Sequence, residues 1–87
     1  MTITAQITPR EFERIDGTMQ ALLRMGPFES CADPREYIRT ANRLFDYCAD
    51  ALGYEFANSF PDTLELAASV VTGALLGSIF VADEEAA

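Results

Sequence analysis

The stretch LAASVVTGALLGSIFVA, Leu66 to Ala82, runs for seventeen residues without a charge in a chain of 87. A helix that is apolar all round has to be buried all round, so this segment decides what the rest of the chain must provide. A bilayer, the centre of a small bundle and a contact with another chain would each satisfy it. A bilayer span needs about 20 predominantly apolar residues and is oriented by flanking Lys and Arg. Here the run is diluted by Ala, Gly, Ser and Thr, and its flanks are Asp62, Glu65, Asp83, Glu84 and Glu85. A tail-anchored membrane microprotein is therefore the least favoured reading.

Two helices precede the run. The first opens at TPRE, with Thr8 as N-cap, Pro9 at the first helical position and Glu11 placed for a capping box. Phe12, Ile15, Met19, Leu22 and Leu23 then recur at helical spacing until Gly26–Pro27 stops the helix. Gly17, in its middle, is read as the mark of a close contact. The second helix opens with the same device at DPRE (Asp33, Pro34, Glu36) and stops at Gly53. Tyr37, Ile38, Ala41, Leu44, Phe45, Cys48, Ala51 and Leu52 form its apolar arc. Arg35, Arg39, Arg43, Asp46 and Asp50 form the opposite one, a solvated face expected to hold one or two Arg–Asp pairs. GYEFANS follows as a connection whose aromatics cap the core. Ser59 and Asp62 are the capping candidates for a third helix, with Pro61 in its first turn.

At 100° per residue, the third helix has two apolar arcs. Leu64, Ala68, Val71, Leu75 and Ile79 lie on one, and Leu66, Val70, Gly73, Gly77, Phe80 and Val81 on the other. Helices 1 and 2 cover the first. The second, with the small row Ser69, Gly73, Gly77 suited to close backbone approach, is assigned to a second copy of the chain. The alternative makes the third helix the centre of a monomer wrapped by helices 1 and 2 and the GYEFANS segment. The expected fold is thus all-α: a single small three-helix domain, helices near 9–25, 34–52 and 60–82, with an acidic tail at 83–87. It is expected to be a helical homodimer through the third helix. No sheet is expected beyond a short extended segment at Thr2–Ile7.

Charge bears on partners. All six Arg lie between Arg10 and Arg43, where six acids offset them, so the net charge of −8 resides in the second half. That field disfavours nucleic acid and anionic lipid and favours a basic protein. Asp46, Asp50, Glu55, Asp62 and Glu65 are the candidate acidic contacts.

Chemistry has little to work with. The chain has no His, no metal-ligand spacing, no phosphate loop and no nucleophile elbow. Neither a cofactor nor a catalytic residue is assigned, and the protein is not expected to be an enzyme. Cys48 lies fourteen residues into the second helix, about 21 Å of rise from its start. The three residues before that helix reach only about 10 Å, so a bond to Cys31, which needs Cα atoms within about 7 Å, is not expected. Reduced thiols and an N-terminus without a signal-like apolar region suggest a cytoplasmic protein. The function expected is protein–protein binding by a self-associating regulatory or adaptor module. The alternative is an inhibitor of phage or mobile-element type, whose acidic half mimics nucleic acid and blocks a basic nucleic-acid-binding protein.

Overall fold

The computed structural model describes residues 5–81, which form a small all-helical domain with a minimal sheet: β1 (Ala5–Ile7), α1 (Pro9–Arg24), α2 (Pro34–Leu52), α3 (Tyr54–Asn58), α4 (Thr63–Leu76) and β2 (Ile79–Val81). The tail at 83–87 and the start of the expected extended segment lie outside the described residues.

α1 begins where the capping box places it. The Glu11 backbone N–H donates to Thr8 Oγ1 at 3.1 Å, and the Thr8 N–H donates to Glu11 Oε1 at 2.7 Å. α2 uses half of that device. The Glu36 N–H donates to Asp33 Oδ1 at 3.2 Å, but the Glu36 carboxylate turns to Arg39, whose guanidinium donates at 2.6 Å. This i,i+3 contact is the sole ion pair among the described residues. The expected Arg–Asp pairs do not form, although Arg35, Arg39, Arg43, Asp46 and Asp50 are all exposed as a solvated face should be. Arg14 instead lies over the Tyr47 ring at 5.8 Å, linking α1 to α2.

The core is built from Ile15, Met19 and Leu22 of α1, Leu44, Cys48 and Ala49 of α2, Ala57 of α3, and Leu66, Ala67 and Val70 of α4. Ile7 and Ile79 complete it from the two strands. On α2 the buried face is rotated from the expected arc: Thr40 and Ala49 are inside, while Ile38 is 49% exposed.

Three corrections concern the second half. GYEFANS is not a plain connection: Tyr54–Asn58 forms a fourth helix, and Phe56 and Phe60 meet edge-on at 5.2 Å between ring centroids. Asp62 alone caps α4, accepting the Glu65 N–H at 2.8 Å, while Ser59 closes α3. The long third helix expected to reach 82 stops at Leu76. Gly77 adopts the left-handed conformation (φ 84°) that ends helices, and the Ser78 hydroxyl donates to the Gly73 carbonyl at 3.2 Å. The chain beyond pairs in parallel with β1, Ala5 with Ile79, Gln6 with Phe80 and Ile7 with Val81. Ile7 and Ile79 face the core, and Gln6 and Phe80 face solvent.

Part of the arc expected to meet a second chain is covered by the chain itself, while Phe80 of that arc is 55% exposed. Leu66, Val70 and Gly73 are buried in the chain's own core, packed by α1, α2 and β2. A Cβ added at Gly73 would come within 2.9 Å of Ile79 Cδ1, so the close approach is to the chain's own strand. Gly77 is a helix stop, and Phe80 and Val81 belong to β2. The proposed self-association surface is thus split between core, turn and sheet. α4 instead turns Ala68, Leu75 and Leu76 outward. Gly17 has open space where a side chain would be and marks no contact.

Candidate functional site

An open groove of about 710 Å³ lies between three helices. Met19, Leu22 and Leu23 enter it from the C-terminal half of α1, Tyr37 and Ala41 from the first half of α2, and Leu64 and Ala68 from the start of α4. The turn after α1 closes one end: Phe28 meets Tyr37 edge-on at 5.5 Å between centroids. Pro27 sets that turn and a short 3₁₀ segment, Phe28–Ser30, carries the ring. Met19 and Leu22 are buried, whereas Leu23 is 52% and Phe28 45% exposed. Large apolar side chains left this open around a concavity mark a surface that the described residues do not cover.

The rim differs from the floor. Glu29, Asp62 and Glu65 border the groove, and none of the residues lining it is a Lys or Arg. Arg24, the nearest arginine in sequence to Leu23, lines a separate hollow of about 260 Å³ with Cys31, Asp33 and Glu36. The capping bond between Asp62 and the Glu65 N–H fixes the start of α4, so two of the three rim acids sit on a defined turn.

Of the acids singled out in the sequence, Asp62 and Glu65 reach this rim. Asp46, Asp50 and Glu55 do not; they are exposed on α2 and α3. Reasoning from sequence missed the groove itself. Leu23 was placed in the core arc of α1, but Leu22 and Leu23 are adjacent and therefore about 100° apart, and only Leu22 turns fully inward. Such a doubled leucine widens an apolar arc beyond what one neighbouring helix covers, and that was the available signal.

The thiols are both free. Cys48 is fully buried, and burial pushes its pKa up to about 11, the reverse of what activates a nucleophile. Cys31 Sγ donates to the Phe28 carbonyl at 3.2 Å. Among the described residues no group of three His, Cys, Asp or Glu side chains is placed to hold a metal ion, and no helix is long and apolar enough to cross a membrane. Comparison of the chain with protein-family models, with curated proteins and with solved structures found no match.

Proposed function

We propose that this protein is a non-enzymatic interaction module that works by taking apolar side chains of a partner protein into the groove between α1, α2 and α4. The observation that carries the reading is the open apolar lining itself, with Leu23 and Phe28 half-exposed beside buried Met19 and Leu22. Exposed aromatic and aliphatic side chains around a pocket are the usual anchors of protein interfaces. The placement of the acids favours this reading over nucleic-acid mimicry. Glu11 and Asp33 are engaged in helix caps and Glu36 in an ion pair. Asp46 and Asp50 continue a stripe begun by three arginines, so the solvent face of α2 is of mixed charge and does not imitate a phosphate backbone.

Site-specific photo-crosslinking tests it. A photoreactive residue at Ala68 or Leu23 should label one protein in the source cell, and one at Arg43, on the solvent face of α2, should not. That protein, purified, should bind the wild type directly. Leu23→Glu should weaken binding about tenfold or more, as expected for loss of an anchor contributing over about 1.4 kcal/mol. Unchanged affinity in both Leu23→Glu and Ala68→Glu would refute the groove as the docking site.

A further inference from the structure

We infer that the groove's occupant is an amphipathic helix with a basic flank, an inference that rests on the groove being the docking site. The walls decide the shape. Every apolar side chain lining the groove comes from a helix or from the turn after α1, and neither β1 nor β2 contributes to it. An extended peptide draws its affinity from main-chain bonds to a free strand edge, and no such edge borders this surface. A helix brings its backbone already satisfied and needs only apolar anchors at i, i+3 or i+4, and i+7. Ala41 of α2 and Ala68 of α4 are small lining residues, which lets a helix approach closely.

The rim decides the charge. Glu29, Asp62 and Glu65 meet no base among the lining residues, and the chain as a whole carries −8. Asp62 and Glu65 stand at the start of α4, where the helix dipole offsets part of their charge. Glu29 lies on the short 3₁₀ segment and is exposed. Complementary charge at a rim governs partner choice and encounter rate more than affinity, so lysines or arginines flanking the apolar stripe are what this rim selects. A small ligand fits less well, because such sites orient their ligand with several convergent polar groups inside the pocket. Here the carboxylates belong to exposed residues, with only the Tyr37 and Thr63 hydroxyl groups on half-buried ones. A second copy also fits poorly. It brings a like net charge, and its arginine face on α2 exposes only one large apolar side chain, Ile38.

Three synthetic peptides of about 16 residues, long enough for helix formation, make the test. The first has leucines at i, i+3, i+4 and i+7 with lysines elsewhere, the second has glutamates for those lysines, and the third keeps the lysines but has serines for the leucines. Amide chemical shifts of the full chain are followed during titration. The leucine–lysine helix should move the Leu23, Ala41 and Ala68 signals and bind at least about tenfold tighter than the leucine–glutamate helix, a difference of about 1.4 kcal/mol. The combined variant Glu29→Gln, Asp62→Asn, Glu65→Gln should erase most of that preference; Asn keeps the α4 cap.

Equal binding of both leucine helices in the groove would overturn the basic flank while leaving the groove reading intact. Equal binding by the lysine–serine peptide would reduce the effect to surface charge and overturn the inference. The same signals moving with protein concentration alone, with dimers in sedimentation, would replace the foreign helix by a second copy. No peptide reaching the groove would overturn the helical occupant, and the crosslinking experiment then decides separately whether the groove docks any protein.

Discussion

The two faces of α4 are built from nearly the same residues and have opposite fates. Leu66, Val70 and Gly73 are buried, whereas Ala68, Leu75 and Leu76 are exposed, the two leucines by 76% and 79%. Leucine therefore stands on both sides of one helix, and intrinsic hydrophobicity does not say which side is inside. The difference lies in the neighbours. The inward face meets α1 and α2, and after Gly77 the chain returns Ile79 against Gly73. Leu75 and Leu76 on the outward face are left open by the described residues. Facing in a helix whose one charge is Glu65 in its first turn is a property of tertiary structure, not of the helix.

Substitutions along α4 can break this comparison, beginning with its strongest contrast. Leu66→Ala removes a fully buried side chain and should cost about 2–5 kcal/mol, a large part of the stability of a domain this small. A urea-denaturation cost below about 1 kcal/mol would mean that the inward face is not the core. Gly73→Leu should cost about 1–3 kcal/mol by overpacking, because the new side chain takes the place of Ile79. Amide exchange at Ile79–Val81 should accelerate with it, and unchanged protection there would separate β2 from Gly73. Asp62→Ala should cost about 0.5–2 kcal/mol through loss of the α4 cap, with Asp62→Asn near wild type; equal melting temperatures for the two would place the helix start elsewhere.

The smallest effect belongs to the outward face. Leu75→Gln and Leu76→Gln should stay within about 0.5 kcal/mol of wild type. The wild-type melting temperature should also be independent of protein concentration. A concentration dependence abolished by these two changes would mean that a second copy covers this face after all.

How far the sequence disclosed this depended on punctuation. TPRE, DPRE, Gly26–Pro27 and Gly53 mark the ends of α1 and α2 by specific backbone chemistry, and both helices lie within a residue of where these signals put them. The end of α4 is masked in the sequence because Gly77, four residues after Gly73, fits a packing row of small residues. Followed by Ser-Ile-Phe-Val, it also fits a left-handed stop before a strand, and the structure takes that option. The choice between the two arcs of α4 was not available locally, since no charged residue between Leu66 and Val81 breaks the symmetry. The groove stayed hidden for a related reason: it is assembled from Leu23, Tyr37 and Leu64, residues of three helices whose mutual placement no local pattern encodes.

The pairing of β1 with β2 has a bearing on the order of folding. Ala5 and Ile79 are 74 positions apart in sequence, yet they are register partners in a sheet of three residues per strand. Closing so long a loop costs roughly 4 kcal/mol of chain entropy if nothing has shortened it first, more than so short a ladder returns by itself. The helices must therefore assemble before the strands meet, and their packing reduces the effective length of the loop. During synthesis, which proceeds at about 5–20 residues per second, α1 and α2 can pair while Ile7 still lacks its neighbour. Until the ribosome has released the segment around Ile79, Gly73 lacks the side chain that packs against it. The sheet acts as a latch that is set last, and the nascent chain passes through an interval in which its core is open at this one place.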